Sequence, residues 1–267
     1  MQDAPAHLLS VVIPMYRESS RIVPTLKDVI ATLRTSPWSS EIILVDDGST
    51  DDTVATVRPY VSERGEGGIE RIALVKFDRN RGKGAAVRAG LAEARGDWRL
   101  MMDADNAARV DEVSKLFQHA NGDTGLVAGS RSAEGAIVEA QGFRKLTGLI
   151  FKCALLVLGL RLAKDTQCGF KLYRADVAEA IAAHGVEDRF AFDLEHLLLT
   201  RKLGTRVCEV GIRWQHVDGS QVSPVADGIK MLYQAACIRF RKYGELSLPL
   251  SAGMAPNATP AVGGAEG

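Results

Sequence analysis

The four cysteines, Cys153, Cys168, Cys208 and Cys237, lie far apart and include no Cys-x-x-Cys pair, which argues against a disulfide framework and against a cysteine zinc site. The chain also has no surplus of either charge: 33 Lys plus Arg balance 33 Asp plus Glu. No global basic field gathers nucleic acid, so an anionic partner has to be held locally. No run reaches the ~20 apolar residues that cross a bilayer. The longest, Leu149–Leu162, is broken by Lys152 and Arg161. Met1–Leu9 has no basic stretch followed by an apolar one, so no secretory signal is read there. These absences lead to the expectation of a reducing, cytoplasmic setting with no membrane span.

What is present is enough chain, at 267 residues, for one large α/β domain or two small ones. Leu8–Ile13 is a β-rich run stopped by Pro14, and Ile22, Leu26, Val29, Ile30 and Leu33 follow at helical spacing. Glu41–Val45 is a second strand and ends in Asp46-Asp47-Gly48-Ser49-Thr50-Asp51, where Ser49 or Asp51 can cap the next helix, through Val54, Val57 and Val61. Ile72–Phe77 and Trp98–Met102 supply two more strands, separated by a small-residue helix through Ala85, Ala89 and Leu91. A helix around Val110–His119 and a strand at Gly125–Gly129 follow.

Repeated βα units imply a mostly parallel, Rossmann-like sheet flanked by helices, and in such sheets ligands bind beyond the carboxyl ends of the strands. The loops Pro14–Glu18, Asp46–Asp51, Asn80–Gly84 and Asp103–Asn106 would all lie on that edge. Asp103 and Asp105 are spaced i and i+2 after an apolar strand, so both carboxylates can point one way and hold one hard divalent cation. Asn80-Arg81-Gly82-Lys83-Gly84 opens a helix, where backbone N–H groups and the helix dipole favour an anion. A tight turn explains the same glycines equally well.

The second half is less regular. Glu134–Gly142 is small and polar, suited to a mobile loop. Phe143–Leu162 mixes Arg and Lys with Leu, Ile and Phe, which suits a membrane surface or a buried helix with snorkelling cations. Asp165–Lys171 reads as a polar turn ending in a basic residue. Asp193 and Glu195 open a helix, where the dipole lowers carboxylate pKa values; a site pair and an ordinary cap are both open. Val207–Arg213 is a last strand, and Pro224–Tyr243 a helix with a basic end. Residues 1–248 are expected to form one domain, with interfacial helices near 143–162 and 224–243, and 249–267 a disordered tail.

Together, Val12-Ile13-Pro14-Met15-Tyr16-Arg17-Glu18, Val45–Asp51, Asn80–Gly84, Asp103-Ala104-Asp105 and Gly129-Ser130-Arg131 resemble, in order, the family 2 inverting glycosyltransferases of the GT-A fold. Within them, Asp165–Lys171, Phe192–Glu195 and Trp214 with Asp218-Gly219-Ser220 are similar to the dolichyl-phosphate β-glucosyltransferase branch. The resemblance implies a metal-dependent transfer of a hexose, glucose from UDP-glucose first, to a polyprenyl phosphate at a cytosolic membrane face. GDP-mannose as donor, a hydroxyl acceptor used by a soluble enzyme, and a non-catalytic nucleotide-sugar-binding module are the alternatives. It further implies that Pro14, Tyr16, Glu18, Asp46, Asp47, Lys83 and Asp103 bind the nucleotide, and that Asp105 with Asp103 holds Mg²⁺ or Mn²⁺. Arg131 and Lys171 would bind phosphate, and Asp193 or Glu195 would serve as acceptor-side base. Two departures stand out: Arg17 occupies a position where the family usually has Asn, and no membrane anchor is read at either end.

Overall fold

A computed structural model describes residues 8–63, 67–139, 155–156, 158–160, 162–217 and 224–249, the last stretch with side chains from 232 onward. The expected helix at 143–162 falls largely outside the described residues, as do Asp218-Gly219-Ser220 and nearly all of the expected tail.

Seven strands form one sheet: β1 (Leu8–Met15), β2 (Ser39–Asp46), β3 (Ile69–Lys76), β4 (Trp98–Met102), β5 (Thr124–Ser130), β7 (Phe170–Arg174) and β8 (Arg206–Gly211). Their order is β3-β2-β1-β4-β7-β5-β8, parallel throughout except for β7, which runs against both β4 and β5. A short pair, β6 (Ile137–Glu139) and β9 (Arg213–Gln215), stands apart from it.

The period of two sorts the apolar strand residues onto two buried faces. Leu9, Val11, Ile13, Ile42, Leu44, Leu100 and Met102 pack with α1 (Ile22–Arg34) and α4 (Val113–Phe117). Val12, Ile43, Val45 and Met101 pack on the other face with α3 (Lys83–Glu93), α5 (Ala175–His184) and α6 (Phe192–Lys202). The short α2 (Thr53–Val57) follows β2, and α7 (Pro224–Phe240) closes the described chain.

Three expectations are corrected. The Asp165–Lys171 segment does not end as a turn at Lys171: that residue lies inside β7, fully buried, because Asp193 compensates its charge. The stretch expected as a loop from Glu134 contains β6, whose order comes from pairing with Arg213–Gln215 rather than from local sequence. The helix expected over Val110–His119 is a 3₁₀ turn at Val110–Glu112 followed by only Val113–Phe117.

Candidate active site

The loops after β1 and β2 are stapled to each other. Asp47 N–H donates to the Met15 carbonyl at 2.8 Å, Arg17 N–H to Ser49 Oγ at 2.9 Å, and Glu18 N–H to Thr53 Oγ1 at 2.8 Å. Pro14 is buried in β1 opposite Val45, and Tyr16 is half-buried beneath the Arg17 guanidinium. The Glu18 carboxylate takes both arms of Arg21, at 2.8 and 2.9 Å; burial still outweighs Arg21 and holds its pKa above the ordinary value.

Asp46 is fully buried. One carboxylate oxygen accepts Ser49 N–H at 3.1 Å, and the other has no partner among the described residues. Asp47 accepts the N–H groups of Arg81 and Gly82 at 2.7 and 2.9 Å and Asn80 Nδ2 at 2.9 Å. Burial, with Asp46 alongside, keeps its pKa raised despite those donors. Two of the N–H groups offered to a phosphate in the Asn80–Gly84 loop are therefore turned toward the chain's own carboxylate.

The glycines answer a packing need. A Cβ on Gly82, whose φ is +114°, would lie 2.3 Å from the Asp188 carbonyl oxygen, and one on Gly84 2.2 Å from that of Glu187.

Asp103 and Asp105 leave β4 in a turn, not in the strand, so turn geometry rather than strand alternation sets their directions. Lys83 Nζ donates to Asp103 Oδ1 at 2.5 Å. Burial opposes the Lys83 charge, yet Asp103, Asp193 and Asp105 together raise its pKa. Asp105 accepts Ala107 N–H at 3.0 Å, and burial followed by the neighbouring Asp103 charge raises its pKa. Gly169 lies against this pair: a Cβ there would come within 2.1 Å of Asp103 Oδ2.

On the β7 side, the Lys171 ammonium donates to Asp193 and, at 2.6 Å, to the Cys168 carbonyl. The dipole argument for Asp193 fails here, because burial raises its carboxyl pKa in spite of Lys171 and Lys83. Asp193 is also not an N-cap, since α6 has no side-chain cap. Arg131 makes a two-armed pair with Asp165, at 2.7 and 2.9 Å, which holds Asp165 below the ordinary carboxylate range against its burial.

Glu195 belongs to another set of contacts. One oxygen accepts Val186 and Glu187 N–H, both at 2.9 Å, and the other accepts Tyr243 OH at 3.0 Å. Glu18, Lys83, Asp103, Asp105, Lys171 and Asp193 thus share one electrostatic neighbourhood, whereas Glu195 braces the segment beside it. Sequence reasoning missed Asp165 and Gly169 as site residues. Both sit in a motif it singled out, but their partners are distant in the chain.

Residues 10–181 match the family model described as Glycosyl transferase family 2. The chain belongs to that family. Relatives of this glycosyl transferase family 2 chain include a dolichyl-phosphate β-glucosyltransferase of Dictyostelium discoideum, 36% identical over 87% of this chain and 74% of its own. One of Saccharomyces cerevisiae is 35% identical over 89% and 76%. Among solved structures, glucosyl-3-phosphoglycerate synthase from Mycobacterium tuberculosis with Mn²⁺ and UDP-glucose has a TM-score of 0.62 at 16% identity, covering 87% of this chain and 79% of the other. A mannosyltransferase from Pyrobaculum calidifontis with GDP-Man and Mn²⁺ has 0.55 at 16%, covering 87% and 70%. The central α/β sheet is that of a GT-A glycosyltransferase, and the chain is an enzyme of that kind.

Whether this glycosyl transferase family 2 site suits a divalent cation can be judged from its donors. No group of three or more His, Cys, Asp or Glu side chains placed to hold a metal occurs among the described residues. A hard cation bound through one or two carboxylates, with substrate phosphate and water completing its shell, needs no more than Asp105 and Asp103. The pKa of Asp105 is raised by burial first and by the Asp103 charge second, and a cation between the two carboxylates would offset both. The residues fit.

Proposed function

We propose that this chain transfers glucose from UDP-glucose to a dolichyl-type polyprenyl phosphate, inverting the anomeric centre. The observation that carries this proposal is the 36% identity, over 87% of the chain, to a relative named for that acceptor and sugar.

The geometry supports it. Pro14, Tyr16, Glu18 and Asp46 line the nucleoside side, where one buried Asp46 oxygen has no partner among the described residues. Asp47 acts on the donor through the Asn80–Gly84 loop that it shapes. Asp105 and Asp103 would hold a divalent cation, Mg²⁺ or Mn²⁺, which when bound would supply Lewis-acid neutralisation of the leaving diphosphate. Lys83 brings a second positive charge to the same oxygens by exchanging its Asp103 contact for the donor.

In the reaction an acceptor phosphate oxygen forms a bond to the anomeric carbon, while the bond from that carbon to the donor's β-phosphate oxygen breaks and releases UDP. A phosphate monoester, with a second pKa of about 6, is already largely ionised and needs no general base. Arg131, oriented by its buried partner Asp165, holds that phosphate, and Lys171, fully buried against Asp193, adds positive charge from within the protein. A guanidinium has five N–H donors, so pairing with Asp165 directs Arg131 without exhausting it. Asp193 acts by fixing Lys171, and it becomes a base only with a hydroxyl acceptor.

No helix among the described residues is long and apolar enough to cross a membrane. Tyr233 and Phe240, 73% and 76% exposed on α7 beside Arg239, support contact with a lipid surface from one side. Calorimetry with UDP-glucose and GDP-mannose, each with Mn²⁺ and with EDTA, followed by transfer to dolichyl phosphate in vesicles, tests the proposal. Metal-dependent binding of UDP-glucose and lipid-linked product are expected. Binding of GDP-mannose alone, or transfer only to a soluble acceptor, overturns it.

A further inference from the structure

Helix α1 carries two stripes. Ile22, Leu26, Val29 and Leu33 enter the core, while Arg21, Thr25 and Asp28, four and three residues apart, run along a second face. That second face meets the turn holding Asp103 and Asp105. Thr25, 3% exposed, donates its hydroxyl to the Ala104 carbonyl at 2.8 Å. Asp28 accepts Asn106 Nδ2 at 3.0 Å with one oxygen and Arg109 Nη2 at 2.8 Å with the other.

Asp105 is therefore gripped on both flanks by one helix. Asn106 has a φ of +57°, a left-handed conformation that Asn tolerates, and the Asp28 contact holds it there. Asp105 then reaches forward along the turn to accept Ala107 N–H. Asp103 and Asp105 repel each other, and a turn free to relax would move them apart. The helix opposes that relaxation, and its first-turn neighbour Arg21 lends Asp105 a favourable charge.

We infer that Thr25 and Asp28 are positioning residues for Asp105, so that helix α1 sets the geometry in which the carboxylate pair receives a divalent cation and the donor diphosphate. The inference rests on the proposed role of Asp105 as a metal ligand. Both residues act through their contacts with the turn that carries Asp103 and Asp105.

The test is Mn²⁺ binding to the full chain in the presence of UDP, read from the electron paramagnetic resonance of the free ion. Thr25→Val removes the hydroxyl donor without changing volume, Asp28→Ala removes the outer grip, and Thr25→Ser is the rescue. Each of the first two is expected to weaken Mn²⁺ binding about 10-fold, with Thr25→Ser close to the parent. Turnover at saturating Mn²⁺ and donor should largely recover. If both variants bind Mn²⁺ as the parent does and lose only thermal stability, the contacts merely hold the fold and the inference is overturned. Should Thr25→Val fail to fold, Asp28→Ala decides, since that side chain lies at the partly exposed edge. A parent chain that binds no Mn²⁺ with UDP removes the metal role and this inference together, which separates the two failures.

Discussion

Lys171 is a cation shielded from water, and its charge is tolerable only because Asp193 lies against it. Breaking a buried pair from one side costs about 3–5 kcal/mol, whereas replacing both members by apolar residues is often neutral. Asp193→Asn should therefore lose stability of that order as well as activity. Lys171→Met combined with Asp193→Leu should regain the stability in urea titration but remain inactive; a double variant as unstable as the single one would contradict the pairing argument. Asp105→Ala is expected to show the opposite split, abolishing turnover at little cost in stability, because burial and Asp103 already disfavour the ionised Asp105. Arg17 gives a separate test at this scale. Its φ of +56° is a left-handed conformation that Asn visits readily and Arg does not, a physical reason for the Asn usual at this position. Arg17→Asn should raise unfolding free energy by about 1 kcal/mol, and unchanged or lower stability would show the strain to be absent.

The start of α3 and the segment around Glu187–Asp188 form one unit. Ala85 N–H donates to the Asp188 carbonyl at 3.2 Å, Arg88 Nη1 to that of Glu187 at 2.6 Å, and Glu195 holds Val186 and Glu187 by their N–H groups. Through Tyr243 and Arg241 the same Glu195 reaches the chain after α7. A methyl group at Gly84 forces this unit apart, so Gly84→Ala should cost about 1–3 kcal/mol and displace Lys83. Weaker UDP binding alongside a lower melting temperature is the expected outcome, and unchanged UDP affinity would detach the unit from the donor site. None of this was legible in the sequence, where Gly82 and Gly84 suggested either an anion or a turn. The carbonyls that pack against both glycines, those of Asp188 and Glu187, lie about a hundred residues away. Strands β1, β2 and β4 were legible because burial on both faces demands continuous apolar runs. Strand β7 was not, since Lys171 reads as solvent-facing until Asp193 is known to lie beside it. Helix α5 passed unread although Val177 and Ile181 sit at helical spacing. The four site loops were legible from topology alone, whereas the pairings Arg131 with Asp165, Asp47 with Arg81 and Gly82, and Gly169 against Asp103 depend on contacts that no local pattern encodes.

Across the whole molecule, buried carboxylates at the two ends of the strands shift in opposite directions. At the carboxyl ends of the strands, burial raises the pKa values of Glu18, Asp47, Asp105 and Asp193 further than their donors and cationic neighbours lower them. Toward the amino end, Ser10, Glu41 and Arg71 face one another in register across β1, β2 and β3. Glu41, 1% exposed, accepts Ser10 Oγ and Arg95 N–H, both at 2.5 Å, and Arg71 Nε at 2.6 Å. Burial pushes its carboxyl pKa up, but these donors prevail and hold it below the ordinary glutamate value of 4.5. The sign follows from proton counting. Between the depressed folded value and 4.5 the unfolded chain binds a proton that the folded chain does not, so unfolding free energy falls as the pH falls through this window. Above 4.5 the contribution is fully present. Glu41→Gln removes the titrating group and leaves Arg71, among the described residues, with Glu93 as its charge partner. The variant should be about 3 kcal/mol less stable at neutral pH, and the gap should narrow as the pH falls below that of ordinary glutamate titration. Urea unfolding from pH 7 to pH 3 measures both quantities. A gap that stays constant over that range would mean that Glu41 contributes shape rather than charge, and that acid sensitivity resides elsewhere in the chain.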